Sequence, residues 1–213
     1  MTKAHTGWHF VNEARTLRDG QKVRAGRVYR LPKGTTPVIC RVGYHACKEP
    51  LDALRYASGP IVCRVELRGT VVEDTDKWVA SERKVLWVRD ATRVLHEAAI
   101  HFATNALRAE QKAGREPDQR SWEVLRVKRR WLEGKATDSE WAAASAAASA
   151  AGDAAWDARA ARAAAWAAAW DAAWDAAWDA ARAAGDAAWD AAWDAARDRQ
   201  NRYLTRRLLA LEP

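Results

Sequence analysis

The sequence predicts an α+β fold, a small mixed domain over residues 1–90 followed by a helical domain over residues 91–213. Three observations carry this expectation. Short apolar runs separated by turn residues fill the first 90 positions, and one of them alternates with period two. From residue 92 the apolar period becomes that of a helix, and an Ala-rich array follows.

In order along the chain, RVYRL (27–31) reads as a strand, PKGTTP (32–37) as a turn and VICRVGYHAC (38–47) as a second strand. EPLDALRYA (49–57) places Leu51 and Leu54, with Ala57 or Tyr56, at helical spacing. Pro50 suits its first turn, and Gly59 with Pro60 ends it. In IVCRVELRGTVV (61–72), Ile61, Cys63, Val65 and Leu67 alternate with Val62, Arg64 and Glu66, the signature of a half-buried strand with Cys63 inward.

Beyond residue 92, Val94, Leu95, Ala98, Phe102 and Leu107 form one apolar stripe behind an N-cap candidate at Thr92. Gly114, Glu116 and Pro117 break that helix. Asp118 or Ser121 can cap the next one, which Gly134 closes, so the pair reads as an αα-hairpin.

Residues 141–198 hold 33 Ala, 8 Trp, 9 Asp and 4 Arg, built on a repeated A-A-W-D unit. Ala at this density favours helix. Steps of four residues advance about 400°, so Trp166, Trp170, Trp174 and Trp178 drift slowly around one side, and Trp189 and Trp193 return near it. Gly152-Asp153 and Gly185-Asp186 are expected to be helix breaks. The six indoles serve either as packing within a bundle or as an exposed ridge for a partner or for nucleobases. The Asp of each A-A-W-D unit disfavours a polyanion there.

Of the 35 Lys and Arg, 27 lie in residues 1–140 against 18 Asp and Glu, whereas residues 141–198 carry 4 Arg against 9 Asp. The basic residues are scattered without a dense run or a stacking motif, so a nucleic-acid partner is not expected. No stretch approaches the roughly 20 apolar residues of a membrane span. The first residues lack a secretory pattern, so the bacterial cytoplasm is the expected location. Cys40, Cys47 and Cys63 read as reduced thiols, and their spacings, even with His45, match no structural zinc pattern, so no metal is expected.

GYHACKEPLDALRYA (43–57) and the strand after it resemble an uncharacterised domain common in bacteriophage accessory proteins, over about residues 7 to 90. The same layout of Gly-aromatic-His, short helix ending in Tyr-Ala, then strand, also resembles the core of ADP-ribosyltransferase-like folds. That second resemblance implies a His or Arg and a Tyr or Ser shaping a nicotinamide pocket, and a Glu on a later strand stabilising the charge that develops on the ribose. Its candidates are His9 or His45 for the first, Tyr56 for the second, and Glu66, Glu73 or Glu82 for the third; none of the three sits in a Glu-x-Glu motif. RVLHEAAIHFATNAL (93–107) and PDQRSWEVLRVKRRWLEGKATDSEW (117–141) resemble a helical domain of bacterial and phage immunity proteins.

The leading expectation is a phage or prophage accessory protein, without turnover or cofactor, that binds a host protein or sequesters a nucleotide-derived signal. One alternative is an enzyme that takes NAD and transfers ADP-ribose or cleaves the glycosidic bond. The other is a structural homo-oligomer assembled through the Trp ridge.

Overall fold

The computed structural model describes residues 4–150 and 194–213, and its architecture is α+β. The strands are β1 (His5–Val11), β2 (Val28–Arg30), β3 (Tyr44–Cys47), β4 (Ile61–Glu73) and β5 (Lys77–Asp90). A short helix α1 (Pro50–Leu54) separates β3 from β4, with Pro50 in its first turn as the sequence predicts. Two longer helices follow, α2 (Thr92–Lys112) and α3 (Gln119–Leu132), and helical residues also span 138–150 and 194–209.

Every strand pairing is antiparallel, in the order β2-β5-β3-β1-β4, and β4 pairs back onto β5. The pairings β5-β3-β1-β4-β5 therefore close a ring, which has an inside, and β2 extends β5. The ring depends on the close approach of β1 to β3, where Trp8 stands opposite Cys47. Gly7 permits that approach, because a Cβ there would lie 2.8 Å from the Cys47 carbonyl oxygen. Gly69, at φ +75°, opens the bulge between Arg68 and Val71 that bends the long β4–β5 hairpin.

The alternation in β4 decides the core. Ile61, Cys63, Val65 and Leu67 join Val11, Val23, Tyr29, Ala46, Ala80, Val85 and Val88 in one buried cluster. Directly paired residues of neighbouring strands point to one side. His9, opposite Cys63, and Arg83, opposite Leu67, accordingly share the core side of the sheet.

Two of the strands lie where the sequence shows no strand period. β1 (HTGWHFV) and β5 (KWVASERKVLWVRD) carry His, Lys, Arg and Glu at positions that break a simple two-residue pattern. The segment VICRVGYHAC is not one strand either. Val38 bridges Val42 across a tight turn with Cys40 at φ +60°, and only Tyr44–Cys47 is strand.

The chain divides into two compact units, one of residues 1–96 and 198–213, the other of residues 97–197. The last 16 residues thus leave the helical part to which a 90/91 boundary assigns them. The reason is burial: Leu204 and Leu208 are fully buried, Asn201 Oδ1 accepts the Leu51 N–H at 3.1 Å, and the Leu211 carbonyl accepts Arg89 Nε at 3.1 Å. Within the second unit, Asp118 caps α3 by accepting the Arg120 N–H, and Gly134 ends it at φ +69°. There Arg129 Nη2 donates to Thr104 Oγ1 at 2.9 Å, and Lys128 Nζ lies 3.8 Å from the Trp131 ring and 4.1 Å from the Trp141 ring. Trp166, Trp170, Trp174, Trp178, Trp189 and Trp193, with both Gly-Asp pairs, lie outside the described residues.

A cationic cleft as the candidate functional site

A cleft of about 620 Å³ opens in the first unit, between β1, β3, the start of β5 and the turns around residues 17–19 and 40–43. Its cations are Arg18, Arg41, Lys77 and Arg83, Tyr44 and Tyr56 line it with His9 and His45, and Trp8 and Phe10 of β1 are also among its lining residues. Asp19 is the carboxylate among these lining residues, and it is engaged by Gln21 through both the backbone N–H and Nε2.

Arg83 dominates the electrostatics. It is 2% exposed, and no carboxylate among the described residues lies within ion-pairing distance of it. Its guanidinium sits 5.4 Å from the Tyr29 ring and 5.3 Å from the Tyr44 ring, and Nη1 donates to the His45 carbonyl at 3.3 Å. Nε meets no acceptor. Burial lowers its pKa from the ordinary arginine value, and the group remains a cation.

The two histidines answer to this environment. Burial, and then the charges of Arg83, His45 and Arg18, push His9 down to about 3, so its imidazole is neutral at pH 7. His45 is also lowered, again first by burial. Its Nε2 accepts the Cys40 N–H at 3.0 Å and so pins the left-handed turn at Cys40. A ring nitrogen held in this way is not free to serve as a base.

Tyr56 donates to Asp76 Oδ2 at 2.9 Å, and Lys77 Nζ lies 3.0 Å from its hydroxyl. Lys77 is further paired with Asp76 at 3.3 Å and Asp74 at 3.6 Å. Its charge is therefore answered within the protein, unlike that of Arg83.

The structure brings His9, His45 and Tyr56 to one cleft, and it leaves the three glutamates out. Glu66 alternates away from Val65 and Leu67 and pairs with Arg68; Glu73 lies at the far end of β4, bonded to Lys48; Glu82 pairs with Arg30 at 2.7 Å. None lines the cleft. Strand alternation and surface ion pairing thus correct the grouping of Glu66 and Glu73 with His45 and Tyr56.

Arg83 is the residue that sequence reasoning missed. An arginine between Glu82 and Lys84 looks like a solvated charge run, and only its register opposite Leu67 and Tyr29 marks it as inward. Among the described residues no three His, Cys, Asp or Glu side chains gather as a metal site requires, and no helix is long and apolar enough to cross a membrane. Cys47 and Cys63 are buried thiols pushed up to about 12 by burial, and Cys40 is exposed.

Residues 6–97, from β1 into α2, match a family described as "Domain of unknown function (DUF7666)". No curated protein and no solved structure matches the chain.

Proposed function

We propose that the first unit is a binding module that sequesters a small nucleotide-derived signal without chemical turnover, in the service of a phage or prophage in conflict with its host. The observation that carries this reading is the composition of the cleft. It holds a buried cation without a carboxylate partner, further cations and aromatic walls, as an anionic ligand bearing a ring requires. The bacterial cytoplasm is the compartment in which such a signal would be met.

The convergence of His9, His45 and Tyr56 supports a second reading, an NAD-consuming enzyme related to ADP-ribosyltransferases. Against it stands the placement of Glu66, Glu73 and Glu82, because the departing nicotinamide needs a carboxylate near the ribose and none of them lines the cleft.

One experiment separates the two. The purified protein is denatured and the released small molecules are identified by mass spectrometry, and a native sample is incubated with NAD while nicotinamide is monitored. A co-purified nucleotide-type compound without nicotinamide release is the expected result. Nicotinamide release that disappears in His9→Ala would replace the binding reading with the enzymatic one.

A further inference from the structure

Resting on that binding reading, we propose that Arg83 anchors an oxyanion subsite in the cleft, and that the group it receives is a phosphate of the nucleotide-type ligand. A buried charge without a counter-ion is costly to a fold. The Tyr29 and Tyr44 faces and the His45 carbonyl offset part of that cost, yet Nε keeps an unanswered proton in a residue that is 2% exposed and lines the cleft. A guanidinium presents its donors as a planar fork that matches phosphate oxygens, and such charge-assisted bonds are the strong ones.

The neighbours favour the same ligand chemistry. Arg18 and Arg41 line the cleft, are exposed, and form no ion pair among the described residues, so they add positive potential toward its mouth. His9 lines the cleft on the same side of the sheet as Arg83, and its neutral ring adds no second buried charge there. Lys77 is spoken for by Asp74 and Asp76, which leaves Arg83 as the buried cation of the cleft still without a partner anion among the described residues. The exposed ring of Tyr56 stands on the wall of the same cleft, where the base or nucleoside part of the ligand finds apolar surface.

The test uses the full chain with three probes, ADP, inorganic pyrophosphate and adenosine. Binding is followed by calorimetry and by the Arg83 Nε–Hε resonance in NMR. ADP and pyrophosphate are expected to shift that resonance, with adenosine binding more weakly than ADP. Arg83→Lys is expected to weaken ADP about 10- to 100-fold, while Arg30→Lys, on a surface arginine outside the cleft, leaves it unchanged. Pyrophosphate bound as tightly as ADP would identify a free polyphosphate as the source of the anion and still support the subsite.

An Arg83 resonance unmoved at saturating ADP, adenosine bound as tightly as ADP, or no binding of ADP and pyrophosphate at millimolar concentration would each overturn the proposal. If Arg83→Lys does not fold, the wild-type resonance decides. Loss of this proposal is distinguishable from loss of the binding reading, since a co-purified compound lacking phosphate would remove the first and leave the second.

Discussion

The Tyr56 hydroxyl donates to Asp76 Oδ2 at 2.9 Å, tying the residues after α1 to the turn between β4 and β5. Lys77 joins both partners, and its ammonium is held above the ordinary lysine value first by the hydrogen bond with Tyr56 and then by Asp76. A tyrosine used in this way braces the wall of the cleft.

Tyr56→Phe keeps the ring and removes both bonds. Asp76 and Lys77 still pair with each other, and Tyr56 is 43% exposed, so the expected loss is about 1 kcal/mol in a urea titration. A loss above about 3 kcal/mol would show that the hydroxyl organises more of the sheet than these two contacts.

Acid is expected to destabilise the first unit through His9. In the unfolded chain its ring takes a proton near 6.5, but in the folded cleft only at about 3. Between those values the unfolded state binds more protons, so stability falls as pH drops, by up to about 1.4 kcal/mol per pH unit from this residue. Above 6.5 both states hold a neutral ring and the contribution is flat. His45, lowered in the same direction, adds to the effect. Denaturation of the wild type and His9→Gln at pH 4 and pH 7 measures it, and equal pH slopes in the two proteins would assign the protons elsewhere.

Thiol labelling should distinguish the three cysteines. Cys40 is exposed, whereas Cys47 and Cys63 are buried with their thiols pushed up to about 12. Iodoacetamide at pH 8 is expected to add one label to the folded protein, at Cys40, and three after denaturation. Rapid labelling of Cys63 in the native state would contradict its place in the core.

The membership of the last residues in the first unit predicts that Leu208→Ala lowers the stability of the sheet. Leu208 is fully buried, and such truncations cost about 2–5 kcal/mol. Hydrogen exchange is the direct readout, with β4 and β5 amides expected to lose protection. Unchanged protection in those strands would separate residue 208 from their folding.

Several elements were legible because local chemistry specified them. Pro50 opens α1, Asp118 caps α3, Gly134 ends it, and the alternation from Ile61 to Leu67 marks the inner face of β4. In the cleft, His9, His45 and Tyr56 were legible as chemistry-bearing side chains. Their partners were not, because a Tyr bonded to Asp76 depends on loops brought together by the ring, and a His bonded to the Cys40 N–H depends on a left-handed turn at a non-glycine residue.

The sequence by itself determined the fold class, the Asp118 cap and Gly134 end of α3 and the inward face of β4, since each follows from side-chain period or from a residue's own backbone preference, whereas α2 starts at Thr92 with Asp90 accepting its N–H. Only the tertiary structure decided the closure of β5-β3-β1-β4 into a ring, the return of Leu204 and Leu208 to the first unit, and the fate of two kinds of charge. Glu66, flanked by Val65 and Leu67, and Arg83, between Glu82 and Lys84, are both charged strand residues; strand register turns Glu66 outward to Arg68 and turns Arg83 into the cleft. Register is fixed by pairing between segments distant in the chain, and its period of two makes a single residue's shift the difference between solvent and core.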